Sequence, residues 1–421
     1  MSTATMTKPV STDLAPDGQV VCRMCGAASH HIGKHLQQTG ELGAADPEVL
    51  VGEYRKQFPD APLTSAAYDA AMRQHIDRET ARKNEERLQN ERQAKLIAEV
   101  GPGMAIKLPM WEVFGLELNE STRTAPRRGR TEGDVIQIDV LQNHSPADLE
   151  AVPEIDNDYV FRVDELKDML MSLALNDNCY VFGSHGTGKT TVVEQACART
   201  KRPMLRVQHT DTTEESHIVG QMVVRNGATE FDYGPLAEAM LNGWVYLADE
   251  YDVAHAGVLS VYQPVLEGKD LYIKEAPPSM RRVKPHPNFR FFATGNTNGS
   301  GDDTGLYSGT KVGNAANYSR FGTSIRVDYP SNEIEKAMIV KRIGIKIDVA
   351  AKLVDFATRV RTMYEAGEIS LPISPRELLG AARKGVATGG RYRHGLDLNY
   401  VNRLGKIEGE AVRQAAQRVF G

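Results

Sequence analysis

Cysteine is scarce in this chain: 421 residues contain four, Cys22, Cys25, Cys179 and Cys197. Only the first two lie close together, which argues against a disulfide framework and for a reducing compartment. Long apolar runs are missing too. None approaches the roughly 18–20 residues needed to span a bilayer. The N-terminal stretch MSTATMTKPVSTDLAPDGQ lacks the apolar centre of a secretion signal. Nor does charge of one sign dominate: 50 basic residues face 55 acidic ones, for a net charge of −5, so nothing global demands nucleic acid. Together these absences predict a soluble, cytoplasmic protein. No Ser-His-Asp arrangement or dinucleotide-binding fingerprint stands out.

What is present reads as ordinary globular protein, 41% apolar and 25% charged, and the length predicts two or three domains. Residues 1–20, rich in Ser, Thr, Pro and Asp, read as a disordered tail. Residues 21–63 form a small Cys/His-bearing unit. Residues 64–100 read as a solvated spacer helix, supported by the i,i+4 pairs Glu79–Lys83 and Glu91–Lys95. Residues 101–151 read as a flexible linker with a basic cluster, Arg123, Arg127, Arg128 and Arg130, and one apolar island, Trp111–Gly115, that should dock. From residue 152 to 330 short apolar strands (CYVFG, PMLRVQ, GWVYLADE, FRFFATGN, TSIRVDY) alternate with helical stretches. That alternation predicts an α/β fold with a mainly parallel sheet. Residues 331–421 read as helices only, a small lid.

The α/β region holds Gly183-Ser184-His185-Gly186-Thr187-Gly188-Lys189-Thr190, which matches G-x-x-x-x-G-K-[ST]. An apolar strand precedes it and a helical stretch from Thr191 follows. The glycines let backbone N–H groups wrap phosphates, and the helix start adds positive potential. Lys189 is expected to reach the β- and γ-phosphates and Thr190 to ligate Mg²⁺. Further on, an apolar strand ends in Asp249-Glu250; Asp249 would hold Mg²⁺ through water and Glu250 would act as general base. A third strand ends at Asn296, placed to orient the attacking water. Two arginines follow. Arg320 sits just before the last strand. Arg376 sits in a helix start where Ser374 can cap and Pro375 can occupy the first turn. Phosphoryl transfer needs such cations on the developing γ-phosphate charge. Cys179 and Cys197 read as small core residues.

This run of motifs resembles the MoxR branch of the AAA+ ATPases, and most of all the small ATPase subunit of aerobic cobaltochelatase. The resembling stretches are VFGL, DYVFR, GSHGTGKTTVVEQAC, LADEYD, VLEG, PHPNFRFFATGNT, GDDTGLYSGT and ISPREL, spanning roughly residues 111–385. The resemblance implies a hexameric ring with ATP between neighbouring subunits. It implies Asn296 as sensor 1, Arg320 as an arginine finger acting in trans and Arg376 as sensor 2 in the lid. It also implies a partner with a von Willebrand A-type domain. Nothing in these residues binds a corrin. Loops such as 211–230 or 274–285 are candidates to face a pore or partner.

The N-terminal unit places Cys22 and Cys25 before His30, His31 and His35. Two sets suit tetrahedral Zn²⁺: Cys22, Cys25, His30 and His35, or the same set with His31 in place of His30. Because a unit this small is expected to lack a core, metal would account for its folding. CRMCG…HHIGKHL followed by EYRKQFPDAPLTS resembles the Ros/MucR-type zinc-finger unit of bacteria and phages, where Cys22, Cys25 and His35 fit. The last histidine of that pattern is missing, Gly40 stands in its place, and His30 or His31 becomes the substitute.

The reading is therefore a ring-forming ATP hydrolase, using ATP, Mg²⁺ and Zn²⁺, that remodels or activates a protein partner. A second reading has the finger target the ring to DNA or DNA-bound proteins, as in a phage-borne relative; its few basic residues (Arg23, Lys34, Arg55, Lys56) weigh against it. A third, slow nucleotide-dependent assembly, is disfavoured by the intact Lys189, Glu250 and Arg320.

Overall fold

The computed structural model describes residues 14–40, 46–80, 104–126, 130–142, 144–299, 301, 306, 309–311 and 314–421. Several expectations lie outside these: most of the N-terminal tail, the spacer beyond residue 80 with Lys83 and the Glu91–Lys95 pair, Arg127 and Arg128, and most of GDDTGLYSGT. The chain divides into two units, Met1–Glu99 and Val100–Gly421. Among the described residues no helix is long and apolar enough to cross a membrane.

In the first unit, strands β1 (Val20–Val21) and β2 (Ala28–Ser29) pair antiparallel around the Cys22–Cys25 turn. Helices α1 (Ile32–Thr39) and α2 (Pro47–Gln57) follow, and residues 66–80 are helical. The expectation that this unit lacks a core is corrected. Val20, Ile32, Leu36, Leu50 and Tyr54 are buried together with Cys22. Tyr54 comes from α2, and its hydroxyl accepts from the Arg23 amide at 2.8 Å. At roughly 1.5–3 kcal/mol per buried large side chain, this cluster supplies folding energy of its own.

In the second unit a five-stranded sheet forms from β5 (Cys179–Phe182), β6 (Met204–Gln208), β9 (Val245–Asp249), β12 (Arg290–Gly295) and β13 (Thr323–Arg326). Its order is β13-β5-β12-β9-β6, with every pairing parallel. Helices cover both faces, so the central strands read as unbroken apolar runs; all five residues of β9 are buried. Cys179 and Cys197 are core residues, and burial pushes both thiols up to about 12. Between β6 and β9 stands a hairpin, β7 (Gly220–Arg225) with β8 (Ala228–Tyr233). A shorter pair, β10 (Leu271–Tyr272) with β11 (Arg282–Val283), precedes β12.

The segment read as a flexible linker is folded where it is described. Strands β3 (Ala105–Pro109) and β4 (Gln137–Leu141) pair antiparallel over five residues. The Trp111–Gly115 island becomes helix α3 (Met110–Phe114), with Met110 and Phe114 buried. The Phe114 ring meets Phe161 edge-on at 4.9 Å, and the Leu141 amide donates to the Thr200 carbonyl at 3.0 Å. Composition misleads here because the two strands are separated by a long polar excursion.

The helices of the α/β layers include α4 (Pro146–Ala151), α5 (Val163–Leu175) and α6 (Lys189–Arg199), with Pro235–Asn242 leading into β9. After the sheet only helices follow: α7 (Asn332–Ile343), α8 (Ile347–Glu365), α9 (Pro375–Ala387), α10 (Tyr392–Asn399) and α11 (Lys406–Phe420). They enclose a separate core that includes Leu353, Phe356, Leu378 and Val412. Inside this lid Arg361 grips the fully buried Glu335 through two hydrogen bonds of 2.8 and 2.7 Å and donates to the Ile373 carbonyl at 3.0 Å. That last bond fixes the chain one residue before the α9 cap.

Candidate active site

The sharp turn from β5 into α6 needs glycine. Gly183 has φ +146, and a Cβ there would lie 2.2 Å from the Val327 carbonyl oxygen; at Gly186, φ +70, it would meet the Ser374 side chain at 2.6 Å. Gly188 caps α6 in the left-handed region and offers no side-chain acceptor, so the first amides of an eleven-residue helix are left to a ligand. Lys189 follows, buried at 8% exposure. Its Nζ donates to the carbonyls of Gly183 (2.9 Å) and Ser184 (3.0 Å) and to Oδ1 of Asn296 (2.9 Å). Burial pulls the Lys189 pKa down, and the nearby carboxylates Glu250, Asp252 and Asp249 oppose that shift.

Parallel register brings the three motif-bearing strand ends together. Thr190 Oγ1 donates to Oδ1 of Asp249 at 2.9 Å, and Thr294 donates to the same oxygen. This hydroxyl–carboxylate pair is a donor set of hard oxygens that suits Mg²⁺. Glu250 takes the left-handed conformation, φ 55, as the strand turns. Its Oε2 accepts from Asn296 Nδ2 at 2.9 Å. Asn296 thereby bridges Lys189 and Glu250. Burial raises the Glu250 pKa, as do Asp249 and Asp252, while Lys189 and Asn296 lower it. A half-buried carboxylate of raised basicity, fixed by an amide, can draw a proton from water.

The lid closes the other side. Ser374 and Glu377 form a capping box at the start of α9, with Pro375 in the first turn, as the sequence predicts. A cavity of about 160 Å³ lies between the phosphate loop and the lid; Gly186, Gly188 and Thr191 line one wall, Arg342, Pro375 and Arg376 another. Arg162 Nη2 donates to the Thr187 carbonyl at 3.3 Å. Thr187 Oγ1 donates to the Ser184 carbonyl at 2.8 Å. His185 Nε2 lies 3.8 Å from Glu377, and burial with the nearby cations Lys189, Arg376 and Arg403 depresses its pKa, keeping the ring neutral.

Arg320 is the site residue the structure does not bring in. Its Nε and Nη2 reach Glu267 at 2.9 and 2.8 Å, and it also donates to the Ala316 carbonyl. Three residues here escape sequence reading. Asp252 is buried and takes the amides of Asn296 and Thr297 on Oδ2, both at 2.8 Å, setting the backbone that carries Asn296. Arg206 forks onto Oδ2 of Asp249 at 2.9 and 2.5 Å. Thr294 completes the shell of Asp249. An arginine interrupting the apolar run MLRVQ is the one signal that points to Arg206.

In the first unit, Cys22, Cys25 and His35 place their donor atoms within 4.8 Å of one another, with Cys25 Sγ 3.1 Å from His35 Nε2. Neither His30 nor His31, the two fourth ligands expected from the sequence, belongs to this group. His30 Nδ1 is bonded to Ser65 Oγ at 2.8 Å. His31 is the N-cap of α1, accepting from the Lys34 amide, and its ring packs edge-on against Tyr68. Spacing alone cannot tell a ligand from a cap.

Comparison with known proteins bears on both the fold and the site. A family model described as AAA domain (dynein-related subfamily) matches residues 178–321. Aerobic cobaltochelatase subunit CobS of Sinorhizobium sp is 32% identical over 281 residues, covering 64% of this chain and 83% of that protein. Protein CbbQ of Hydrogenophilus thermoluteolus is 26% identical over 208 residues, 49% of this chain and 74% of CbbQ. Mouse von Willebrand factor A domain-containing protein 8 is 25% identical over 238 residues, 52% of this chain but 12% of that much longer protein.

Proposed function

We propose, for a chain that belongs to the AAA+ ATPases related to CobS and CbbQ and hydrolyses ATP, that hydrolysis powers a ring of subunits which remodels or activates a protein partner. The observation that carries the ring is Arg320. Phosphoryl transfer calls for a cation on the γ-phosphate beyond the loop lysine, yet Arg320 is tied to Glu267 and Ala316 and makes no bond to its own phosphate loop. A neighbouring subunit's Arg320 would serve the site instead.

Within one subunit the proposed roles follow from the geometry. The backbone from Gly183 to Thr191 and the start of α6 hold the phosphates. Lys189 exchanges its bonds to Gly183, Ser184 and Asn296 for phosphate oxygens. Thr190 and Asp249 would hold Mg²⁺, which would supply positive charge against the phosphates. Glu250 accepts the proton of the attacking water, and Asn296 aims Glu250. Arg376, on the capped start of α9, couples the lid to the nucleotide. Cobaltochelatase, and the von Willebrand A-type name of one relative, supply the reading of a partner bearing such a domain. The β7–β8 hairpin exposes Met222 and Val224, the latter at 75%, and suits contact with a client.

We further propose that Cys22, Cys25 and His35 hold Zn²⁺, two thiolates and an imidazole being good ligands for it. The alternative, targeting to DNA through this unit, draws on the resemblance to Ros/MucR fingers alone. The test is the Glu250→Gln variant, held in ATP and examined by native mass spectrometry and by pull-down from its native lysate. A closed ring carrying a von Willebrand A-type protein without nucleic acid supports the proposal. A monomer in ATP sinks the ring, and DNA captured in dependence on Cys22 and Cys25 favours the alternative.

A further inference from the structure

A second cavity, about 360 Å³, lies away from the nucleotide site between β4, α5 and the end of α6. That volume falls in the range of small-molecule pockets. Its walls are apolar, with Met110, Ile136, Ile138, Leu170 and Leu173 among them, and Arg202 lines it as well. Arg202 is 5% exposed, and its Nε is buried with no hydrogen-bond partner among the described residues. A buried guanidinium N–H without an acceptor is costly, and a charged group costs more than a neutral one. The one carboxylate of the lining, Asp139, acts on Arg202 through its field, with no hydrogen bond between the two among the described residues. Asp139, the nearest carboxylate of the lining, is bonded to Lys107 at 2.9 Å. Lys167, also in the lining, pairs with Asp164 at 3.1 Å. Arg290 is a second partly buried guanidinium, its pKa lowered to about 10 by burial first and then by the field of Arg202, and its own bonds go to the carbonyls of Leu173, Pro287 and Phe289. Arginine keeps its proton near neutrality even when burial lowers its pKa.

We propose that this cavity is a binding site for a small amphipathic carboxylate. Its apolar body would lie along Leu170 and Ile138, and its planar head would accept from the Arg202 fork, the geometry in which arginine binds carboxylates best. Arg202 lies three residues past the end of α6, the helix whose first residue is Lys189, and its amide donates to the Cys197 carbonyl of that helix at 2.8 Å, so an occupant would bear on the element that carries the phosphate loop.

The test is calorimetric titration of the full chain with three matched probes: octanoate, octanol and octylammonium. Octanoate is expected to bind saturably, octanol roughly tenfold or more weakly, as for loss of a charge-assisted hydrogen bond, and octylammonium weakest. Arg202→Met should erase the preference for octanoate over octanol. Ala174→Trp, at the rim, should weaken both and keeps the test decisive if the first variant does not fold. Equal binding of octanoate and octanol, absence of saturable octanoate binding, or octanoate affinity unchanged in either variant overturns the proposal.

Discussion

Replacing Asn296 by alanine removes two bonds at once, the 2.9 Å contact from Lys189 Nζ and the 2.9 Å contact to Glu250 Oε2. Each is charge-assisted and contributes about 1.5–3 kcal/mol. On ATP binding Lys189 turns to phosphate, so the first bond is not held through the transition state. The second is, and only interactions kept or strengthened there accelerate the reaction. Loss of about 1.5–3 kcal/mol at roughly 1.4 kcal/mol per tenfold lowers kcat by about 10–100-fold, with KM little changed. The pH profile supplies a second readout. Burial raises the Glu250 pKa and Asn296 opposes that rise. Glu250 acts as carboxylate, so turnover falls as pH drops through its pKa; without Asn296 that pKa rises further and the acid limb moves to higher pH. Steady-state hydrolysis from pH 5 to 9, with fluorescent-nucleotide binding as control, measures both. A kcat within threefold of wild type and an unmoved acid limb would refute the bridge.

Three other outcomes are expected. Arg320→Ala should keep ATP binding and lose about 10³-fold in turnover, and wild-type turnover in assembled protein would place the finger elsewhere. Arg361→Leu strands the buried Glu335 carboxylate and should destabilise the lid by about 3–5 kcal/mol, whereas Glu335→Met with Arg361→Leu should recover most of it; denaturant unfolding followed by circular dichroism reads the difference. Purified protein should carry one zinc per chain by elemental analysis, lost in Cys25→Ser, with amide exchange of residues 20–39 accelerating; a zinc-free wild type with the same protection would remove the metal from the account.

How much was legible depends on how local the signal is. The phosphate loop, Asp249-Glu250 and the Ser374 cap lie in contiguous residues whose spacing states their geometry, and the alternation of strands with helices gives the parallel sheet. Arg206 and Asp252 were hidden because their partners come from other strands, set only by register. The β3–β4 pair looks like linker in the sequence because its pairing spans an excursion longer than any hairpin turn. Leu50 and Tyr54 of α2 join Val20, Ile32 and Leu36 to give the first unit a core that its short length does not announce. His31 has the spacing of a metal ligand and stands at the N-cap of α1, a position set by the backbone and not by that spacing.

The central claim is that ATP is held at the loop around Lys189 and cleaved with Glu250 as base. ATP binding and turnover measured side by side for the wild type, Lys189→Ala and Glu250→Gln test it most directly. The account predicts that Glu250→Gln binds ATP as wild type does while turnover falls by about 10²–10⁴-fold, and that Lys189→Ala loses both. Unchanged turnover in either variant would contradict it.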